Sequence, residues 1–512
     1  MLIAVVGAAG LAACGNDEDS PGGSGGTSGE AGSGGAKAGG AGKAGGGAGP
    51  TAGAGGVIAE GGGGAINVAG GGTAGVSEEA GAAGSGDGGM GGEGGVIIPP
   101  TPPSASVKAL SPLPALPADT TNQYADNAAA AALGQKLFFD KRFSGPLKAL
   151  ANAEVNPLGP TDALGKVSCA TCHLGGAMSD GRAPFTVTLG TDFHTRNAPA
   201  LVNSSFYTWT NWGGRFAAQW ELPLAVAENG VTMNSTRLKL AHFIYDHYKT
   251  EYEAIFGALN PALSPTATDK ARFPDNGKPK AAGAVDGPWE LMAADDRTIV
   301  NRIIVNFGKA LQAYTRKLVS RDAPFDQFVA ANGGVISESA RRGSELFVGK
   351  AKCTNCHTGP FFSDNKFHNL GVAQLGSHVP GADEGRFNDV AALVGSALNV
   401  KGAFSDDAAF GTTKLTGLDT PDPLNHAAFR TSSLREVALT GPYMHSGQLA
   451  TLADVVAFYV GGGGTVQAGS TKDPLLVPLA LSADEQSDLV EFLKTLNGAA
   501  VPAGLLVDTS GQ

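Results

Sequence analysis

The sequence predicts a mainly α-helical fold, built from two related modules that follow a disordered, glycine-rich N-terminal segment. Apolar side chains recur at three- and four-residue steps over residues 295–319, which is the spacing of a helix that buries one face. A five-residue pattern, Cys-x-x-Cys-His, occurs twice, at residues 169–173 and 353–357. A shorter pattern, Gly-x-x-Leu-Phe, precedes each copy, at Gly134 and at Gly343. This internal repeat indicates two copies of one structural unit.

The N-terminal part of the chain differs in composition from the rest. The chain has 512 residues and 77 glycines, and the glycines crowd into residues 22–95 among Ala, Ser and Thr. Such a stretch has too few large apolar side chains to offset the entropy that is lost on ordering. We therefore predict a flexible linker over residues 15–110, an N-terminal domain over 111–330, a C-terminal domain over 331–497 and a tail over 498–512.

Residues 1–14 have the pattern of a bacterial lipoprotein signal. A short apolar run ends in Leu-Ala-Ala-Cys, and Cys14 would become the lipidated first residue of the mature protein. The run is too short to span a bilayer, and no Lys or Arg precedes it, which departs from the usual signal. The expectation is a lipoprotein in the periplasm or at the cell surface of a Gram-negative bacterium, attached to the membrane only through a lipid anchor. A coincidental Cys within a signal peptide is the alternative.

Both Cys-x-x-Cys-His copies have the spacing of a c-type haem attachment site. Two thiols about one helical turn apart can each add to one vinyl group of a single porphyrin, and the following His presents a nitrogen to the iron. The first copy supplies Cys169, Cys172 and His173, and the second supplies Cys353, Cys356 and His357. A zinc site would gather all its ligands on one ion, and disulfides or redox Cys pairs would need no His. Two covalently bound haems fit this pattern better.

Periodicity and end signals predict the helices along the chain. They are residues 126–139, 238–256, 295–319, 337–347, 452–460 and 482–496. Residues 260–287 read as a polar loop rich in Pro and Gly, and residues 393–422 are low in periodicity. The expected picture is a set of helices and long loops packed around two porphyrins.

Several short motifs occur in a characteristic order along the chain. Besides the two Cys-x-x-Cys-His copies they are Leu133-Gly134-x-x-Leu137-Phe138-Phe139-Asp140, Arg196-Asn197-x-Pro199, Trp212-x-Gly214-Arg215, Phe367-His368-Asn369-x-Gly371, Leu434-Arg435 and Thr440-x-Pro442-Tyr443-Met444-His445-x-Gly447. With these motifs, residues 133–496 resemble the bacterial di-haem cytochrome c peroxidase and MauG family. The resemblance implies two class-I cytochrome c-like haem domains with long loops.

The resemblance also implies roles for residues at the two haems. His173 would be the proximal ligand of the N-terminal haem iron, and His357 that of the C-terminal haem iron. Trp212 would lie between the haems and relay electrons. The alternative for Trp212 is packing within the aromatic cluster that surrounds it in the sequence.

Further ligands follow from the same resemblance. Asn197, Thr440 and Pro442 would surround a calcium ion between the domains, because this ion takes oxygen ligands; a tight turn without metal is the alternative. Tyr459, fourteen residues after His445, occupies the place of the distal ligand of the C-terminal haem, where MauG-like members have Tyr and better-known peroxidases have Met. A phenolate oxygen would stabilise the oxidised iron. A Tyr that only closes a helix before four glycines is the alternative.

Two positions depart from the family pattern. Many peroxidases have a distal His ahead of the Arg-Asn turn, where this sequence has Leu189. His194 is the nearby His, and it would ligate the first haem, line its pocket or only form a hydrogen bond. The catalytic Glu expected before Met233 is replaced by Thr232, and Glu228 is the carboxylate that would substitute as acid–base. An ordinary surface carboxylate is the alternative for Glu228.

The leading hypothesis is an oxidoreductase that reduces hydrogen peroxide at the N-terminal haem. Electrons would pass through the C-terminal haem and Trp212, and Glu228 or His194 would assist proton transfer. The donor would be a small cytochrome c or copper protein, and a MauG-like variant would oxidise a protein or organic substrate. The net charge of −11 argues against nucleic-acid binding and allows a small basic donor to dock. The alternatives are a non-catalytic di-haem electron-transfer cytochrome and a sensor or structural surface lipoprotein.

Overall fold

The computed structural model describes residues 101–182, 185–420 and 422–512. The predicted lipoprotein signal with Cys14, and residues 15–100 of the predicted linker, lie outside this part of the chain. None of the described helices combines the length and the hydropathy that a bilayer-spanning helix needs.

The described part of the chain is mainly helical, with long loops between the helices. Its α-helices are α1 (Ala105–Lys108), α2 (Ala128–Phe139), α3 (Cys169–Cys172), α4 (Leu222–Glu228), α5 (Arg237–Phe256), α6 (Pro288–Leu291), α7 (Ala294–Thr315), α8 (Pro324–Ala331), α9 (Glu338–Val348), α10 (Arg386–Gly395), α11 (Ala408–Leu415), α12 (Leu452–Val460) and α13 (Ala483–Lys494). A small antiparallel sheet joins β1 (Phe367–His368) to β2 (Phe429–Arg430), with Phe367 opposite Arg430.

Two separate hydrophobic cores correspond to the two haem-attachment motifs. The first core is formed by α2, α5 and α7, and its largest fully buried side chains include Phe138, Phe307 and Tyr314. The second is formed by α8, α9, α12 and α13, around Phe347 and Phe492. In each core the helix before the haem motif packs against the last helix of the same module, α2 on α7 and α9 on α13.

The repeated Gly-x-x-Leu-Phe pattern has the same structural reason in both modules. A Cβ atom at Gly134 would lie 2.0 Å from the backbone oxygen of Ala310 on α7, and one at Gly343 would lie 2.0 Å from the backbone oxygen of Asp488 on α13. Only glycine allows the two helices to approach this closely. The repeated Gly-x-x-Leu-Phe pattern therefore marks a close helix crossing that occurs once in each module.

Helices occupy all six segments predicted from periodicity, with ends that differ by a few residues. Residues 393–422, which are low in periodicity, nevertheless contain α11 and the end of α10. α11 carries a Gly and two Thr, which are poor helix formers. Its Asp407 cap accepts the Phe410 N–H, and Leu415 packs against Trp220 and Val400 in a third, smaller core. Tertiary packing, rather than local propensity, stabilises this helix.

The segment before residue 111 belongs to the second core. α1 lies within residues 101–110, and the side chains of Val107 and Leu110 are buried among the residues of that core. This part of the predicted linker 15–110 is therefore ordered, because its two apolar side chains find a buried site on the second module.

The end of the chain packs on the other module. Val501, within the predicted tail 498–512, is buried in the first core, and the Tyr314 hydroxyl donates to the Leu505 carbonyl over 2.6 Å. α8, which the predicted boundary at 330 divides, places Phe325 and Phe328 in the second core. The two ends of the described chain thus each pack on the module farther from them in sequence.

Candidate functional site

The two haem-attachment motifs share one histidine geometry. The Nδ1 atom of His173 lies 3.0 Å from the backbone oxygen of Met178, and that of His357 lies 3.0 Å from the backbone oxygen of Phe362. Each ring therefore donates Nδ1–H to the carbonyl five residues ahead, which leaves the Nε2 lone pair free for a metal. Burial lowers the pKa of both imidazoles, so both are neutral near pH 7. This is the state that an iron ligand requires.

The cysteines of both motifs are free thiols in the structure. Burial raises the pKa of Cys169, Cys172 and Cys353 to about 12, so these thiols are neutral. Cys169 and Cys172 border one internal cavity, and Cys356 borders another. Each motif thus presents sulfur and an imidazole nitrogen to a cavity, which is the donor set that covalent haem attachment needs.

The first cavity lies between α3, α4 and α7 and has a volume of about 190 Å³. Its apolar wall consists of Phe138, Leu201, Leu222, Pro223, Val226, Met233, Phe307 and Leu311. His173 lines it together with His194 and Thr232. An apolar pocket with a few polar groups suits a porphyrin, whose ring is apolar and whose iron needs specific ligands.

His194 differs from the two motif histidines in its hydrogen bonding. Its Nδ1 atom accepts the backbone N–H of Arg196 over 3.0 Å. Burial lowers the pKa of His194 to about 4, with a further contribution from Arg196. The neutral ring therefore carries its proton on Nε2, which makes it a hydrogen-bond donor and leaves no Nε2 lone pair for iron. Of the three roles considered for His194, this geometry supports lining the pocket.

Glu228 is held away from the first cavity. Its carboxylate accepts two hydrogen bonds of 2.8 Å from the Arg237 guanidinium and one of 3.0 Å from the Arg237 backbone N–H. Arg237 also lies over the ring of Trp289. Thr232, at the position of the missing family Glu, lines the cavity, and its hydroxyl donates to the Val226 carbonyl. The acid–base role of Glu228 stays a prediction, while in the structure its carboxylate forms an ion pair.

The second cavity has a volume of about 350 Å³ and contains the remaining predicted ligands. The predicted ligands His357 and Tyr459 line it, and Met444, which belongs to the Pro-Tyr-Met-His motif and is a competing candidate, lines it as well. Tyr459 lies in the last turn of α12, which begins with a capping box between Thr451 and Asp454. Burial raises the pKa of the Tyr459 phenol, and its hydroxyl makes no hydrogen bond within the described part of the chain. Tyr459 and His357 therefore face one cavity, although they are far apart in sequence.

Trp212 lines both cavities. Its indole Nε1–H donates to the backbone oxygen of Asn197 over 2.6 Å, and its ring meets His445 edge-on with centroids 6.5 Å apart. The residues common to both cavity walls are Asn197, Ala198, Pro199, Ala200, Tyr207, Trp212 and Arg430. The Arg-Asn turn and Trp212 thus form the partition between the two cavities.

The predicted calcium ligands meet at the same partition. The Asn197 backbone N–H donates to the His445 carbonyl over 2.7 Å, and its Nδ2 lies 3.3 Å from the Pro442 carbonyl oxygen. The Asn197 side-chain oxygen is buried and has no hydrogen-bond partner among the described residues. Thr440, Pro442 and Asn197 all line the second cavity. An unpartnered buried oxygen beside backbone carbonyls is a donor set that fits a hard cation.

The contact partners of several residues in this region had no signal in the sequence. Arg196 donates two bonds, of 2.6 and 2.7 Å, to Asp383 and one of 3.1 Å to Asp389. Burial alone would lower the pKa of Arg196, but these two carboxylates raise it overall. His445 stacks on Phe429 with centroids 3.6 Å apart. These partners lie far apart along the chain, so no local pattern could have paired them.

Comparison with known proteins gives a consistent result. The family model of di-haem cytochrome c peroxidase matches residues 128–333. The chain is 31% identical over 404 residues to the cytochrome-c peroxidase IdrP1 of Denitromonas iodatirespirans, covering 77% of this chain and 87% of that protein. It is 29% identical over 383 residues to the methylamine utilization protein MauG of Methylorubrum extorquens, covering 73% of this chain and 79% of that protein.

A solved structure shows the same fold. The crystal structure of a MauG-like protein associated with microbial copper homeostasis superposes with a TM-score of 0.51 at 24% identity, covering 78% of this chain and 98% of that chain. The family model and the relatives support a di-haem oxidoreductase of the peroxidase type, a family that implies two c-type haems. The chain therefore belongs to the di-haem cytochrome c peroxidase and MauG family.

Proposed function

We propose that this chain reduces hydrogen peroxide in the first cavity, with electrons passing between the two cavities through Trp212. The observation that carries the proposal is that Trp212 lines both cavities. Its N–H bond to Asn197 fixes the indole in the partition. Reduction of one peroxide to two waters consumes two electrons and two protons. Two coupled groups that each supply one electron would provide both electrons.

Each haem, when bound, supplies an iron that exchanges single electrons and, in the first cavity, a place for peroxide. The protein supplies the ligand orientation. The Nδ1–H bonds of His173 and His357 to backbone carbonyls fix each ring and raise the basicity of each Nε2 atom.

His194 is the residue that we propose to act on peroxide in the first cavity. Its Nε2–H lacks a protein acceptor among the described residues, while its Nδ1 is occupied by the Arg196 amide. A neutral donor of this kind stabilises the negative charge that develops on the departing oxygen. It therefore acts as a fixed hydrogen-bond donor and not as a base. Thr232 adds no donor, because its hydroxyl is used by Val226.

Tyr459 is proposed as an iron ligand in the second cavity, together with His357. The two residues line one cavity, and the Tyr459 hydroxyl has no other partner among the described residues. A phenolate oxygen is a harder donor than the thioether of Met, so it favours the oxidised iron. This would make the chain a MauG-like member.

A calcium ion is proposed at Asn197, Thr440 and Pro442. The unpartnered side-chain oxygen of Asn197 supports it, because a buried oxygen without a donor is costly unless a cation or water meets it. The backbone oxygen of Asn197 accepts from Trp212. An ion bound there would therefore hold the electron relay in place as well.

The proposed electron source is a small cytochrome c or copper protein or, in a MauG-like reaction, a protein substrate. The relative named cytochrome-c peroxidase and the relative named MauG support these two classes. The net charge of −11 favours a donor with a basic face.

The test is rapid mixing of the di-haem protein with hydrogen peroxide, starting from the fully oxidised and from the half-reduced state. We expect a change in the absorbance of both haems after mixing, with net consumption of peroxide when a reductant is present. Two haem spectra that do not respond to peroxide in either state would contradict the proposal and favour a plain electron-transfer cytochrome.

A further inference from the structure

Arg430 occupies the partition between the two cavities. It lies on β2, its side chain lines both cavities, and its backbone N–H donates to the backbone oxygen of Trp212 over 2.8 Å. This backbone hydrogen bond therefore fixes the position of Arg430 relative to Trp212.

The charge of Arg430 is buried and lacks an acidic partner among the described residues. The residue is 5% exposed, and its guanidinium carbon lies 3.3 Å from the centre of the Tyr207 ring. Its Nε donates a long bond of 3.3 Å to the Asn211 carbonyl. One terminal nitrogen, Nη1, is buried with no hydrogen-bond partner within the described residues.

Two other largely buried arginines of the described chain are neutralised by carboxylates. Arg435 donates to both oxygens of Asp326, and Arg196 bonds Asp383 and Asp389. Burying a guanidinium without an anion costs free energy. The unpaired guanidinium of Arg430 therefore indicates that an anion binds there. Burial lowers the pKa of Arg430, whereas the neighbouring Tyr207 favours the charged form of the guanidinium.

The anion that would enter these cavities is a haem carboxylate. Each c-type haem carries two propionates, while its ring and its thioether-linked edge are apolar. We propose that Arg430 binds a haem propionate at the partition, through the nitrogen that has no protein partner. A guanidinium–carboxylate pair is the strong, geometrically specific kind of hydrogen bond, so it would also fix the haem edge beside Trp212.

Arg430 is thus a positioning residue. A positive charge close to a haem favours the reduced iron, so Arg430 would raise the reduction potential of the haem whose propionate it holds. The inference rests on the presence of two haems and not on which substrate the enzyme reduces. Its test therefore contains no peroxide, and a failure of the proposed reaction would leave the result interpretable.

The experiment compares Arg430→Gln and Arg430→Lys with the wild-type protein in spectroelectrochemical titrations, after the haem content has been measured. We expect the glutamine variant to lower the midpoint potential of at least one haem, and the lysine variant to keep most of the wild-type value. The matched control is Arg386→Gln. Arg386 is buried as well, but it donates to the Gly213 and Gly214 carbonyls and lines neither cavity. Its variant should keep both potentials.

Unchanged potentials in Arg430→Gln with two haems bound would overturn the proposal, and so would equal shifts in the glutamine and lysine variants. If the glutamine variant does not bind both haems, the proposal is tested instead by resonance Raman spectroscopy of the wild-type protein and the lysine variant. The propionate bending band reports hydrogen bonding to the carboxylate. It should shift between wild type and Arg430→Lys, and an identical band would overturn the assignment.

Discussion

The indole Nε1–H of Trp212 lies 2.6 Å from the backbone oxygen of Asn197, whose side-chain oxygen is buried without a partner. One residue thus holds the proposed electron relay with its backbone and offers a cation ligand with its side chain. This links the predicted calcium site mechanically to the partition between the two cavities.

Removal of calcium should therefore slow electron transfer between the haems. We expect a strong chelator to release bound calcium and to slow the equilibration of electrons after half-reduction, as followed by stopped-flow absorbance. Calcium should restore the rate, whereas magnesium should not, because it demands a smaller octahedral site. Asn197→Ala should behave like chelated wild type and should not respond to chelator. A wild-type protein that holds no calcium by elemental analysis would contradict this prediction.

Substitution of Trp212 should slow electron transfer between the haems while leaving the absorbance spectra of the two haems nearly unchanged. We expect Trp212→Phe to keep both haem spectra and to slow transfer at least about tenfold, which is ~1.4 kcal/mol of activation free energy. Trp209→Phe is the control, because Trp209 is part of the same aromatic cluster in sequence but lines neither cavity. Equal rates in the two variants would rule out the relay role.

Tyr459→Phe should change the spectrum of the second haem and leave the first unchanged. Loss of a phenolate ligand removes a donor that favours oxidised iron, so the potential of the second haem should rise. Electron paramagnetic resonance and redox titration measure the two effects. Tyr245→Phe, in the first module, should leave both properties as in wild type. An unaltered second haem in Tyr459→Phe would show that Met444 or another group holds that position.

His194 should act as a hydrogen-bond donor over a wide pH range. We expect His194→Leu to slow the reaction with peroxide about 10²–10³-fold, because one oxyanion donor is lost. His194→Gln, which keeps an N–H donor, should lose less. Because the pKa of His194 is lowered to about 4, the ring stays neutral as the pH falls from 7 to 5 and becomes protonated near pH 4. The wild-type rate should be flat above pH 5, and an inflection near pH 6.5 that disappears in His194→Gln would contradict the assignment.

The buried pair between Asp326 and Arg435 should be one of the larger single contributions to stability. Their side chains are 8% and 1% exposed, and Asp326 also accepts from the Ser111 hydroxyl over 2.6 Å. We expect Asp326→Asn to lower the free energy of unfolding by about 3–5 kcal/mol, because a buried guanidinium loses its partner. Glu491→Gln, which breaks the exposed pair with Lys494, should cost less than about 1 kcal/mol.

The same pair makes the stability of the folded protein depend on pH. Burial alone would raise the pKa of Asp326, but the bonds from Arg435 lower it overall. The carboxylate therefore contributes stability that is complete above the pKa of an unfolded Asp, about 3.9, and is lost as the pH falls through the lower folded value. In thermal unfolding, the difference between wild type and Asp326→Asn should be constant from pH 7 to 5 and should shrink below pH 4. A difference that persists unchanged at pH 2 would mean that the pair contributes through packing alone.

Local sequence patterns were sufficient for the parts of this protein whose chemistry is local. Cys169, Cys172 and His173 are predicted to bind one porphyrin because they lie within a single helical turn, so the spacing itself carries the information. Gly134 and Gly343 could be recognised as a repeat, although the reason for glycine, the close passage of α7 and α13, lies in distant parts of the chain.

Contacts across long sequence distances were beyond any such pattern. Arg196 belongs to a recognisable motif, but the sequence does not show that its carboxylates are Asp383 and Asp389. Arg430 reads as an ordinary basic residue, although it has no acidic partner among the described residues. Glu228, the nearest carboxylate by position, is turned toward Arg237, while His194 enters the first cavity with a tautomer fixed by the Arg196 amide. The predicted haem attachment is encoded by neighbours along the chain. The pairing of Arg430 with Trp212 at the partition between the two cavities is decided only by folding, because hydrogen bonding depends on distance in space.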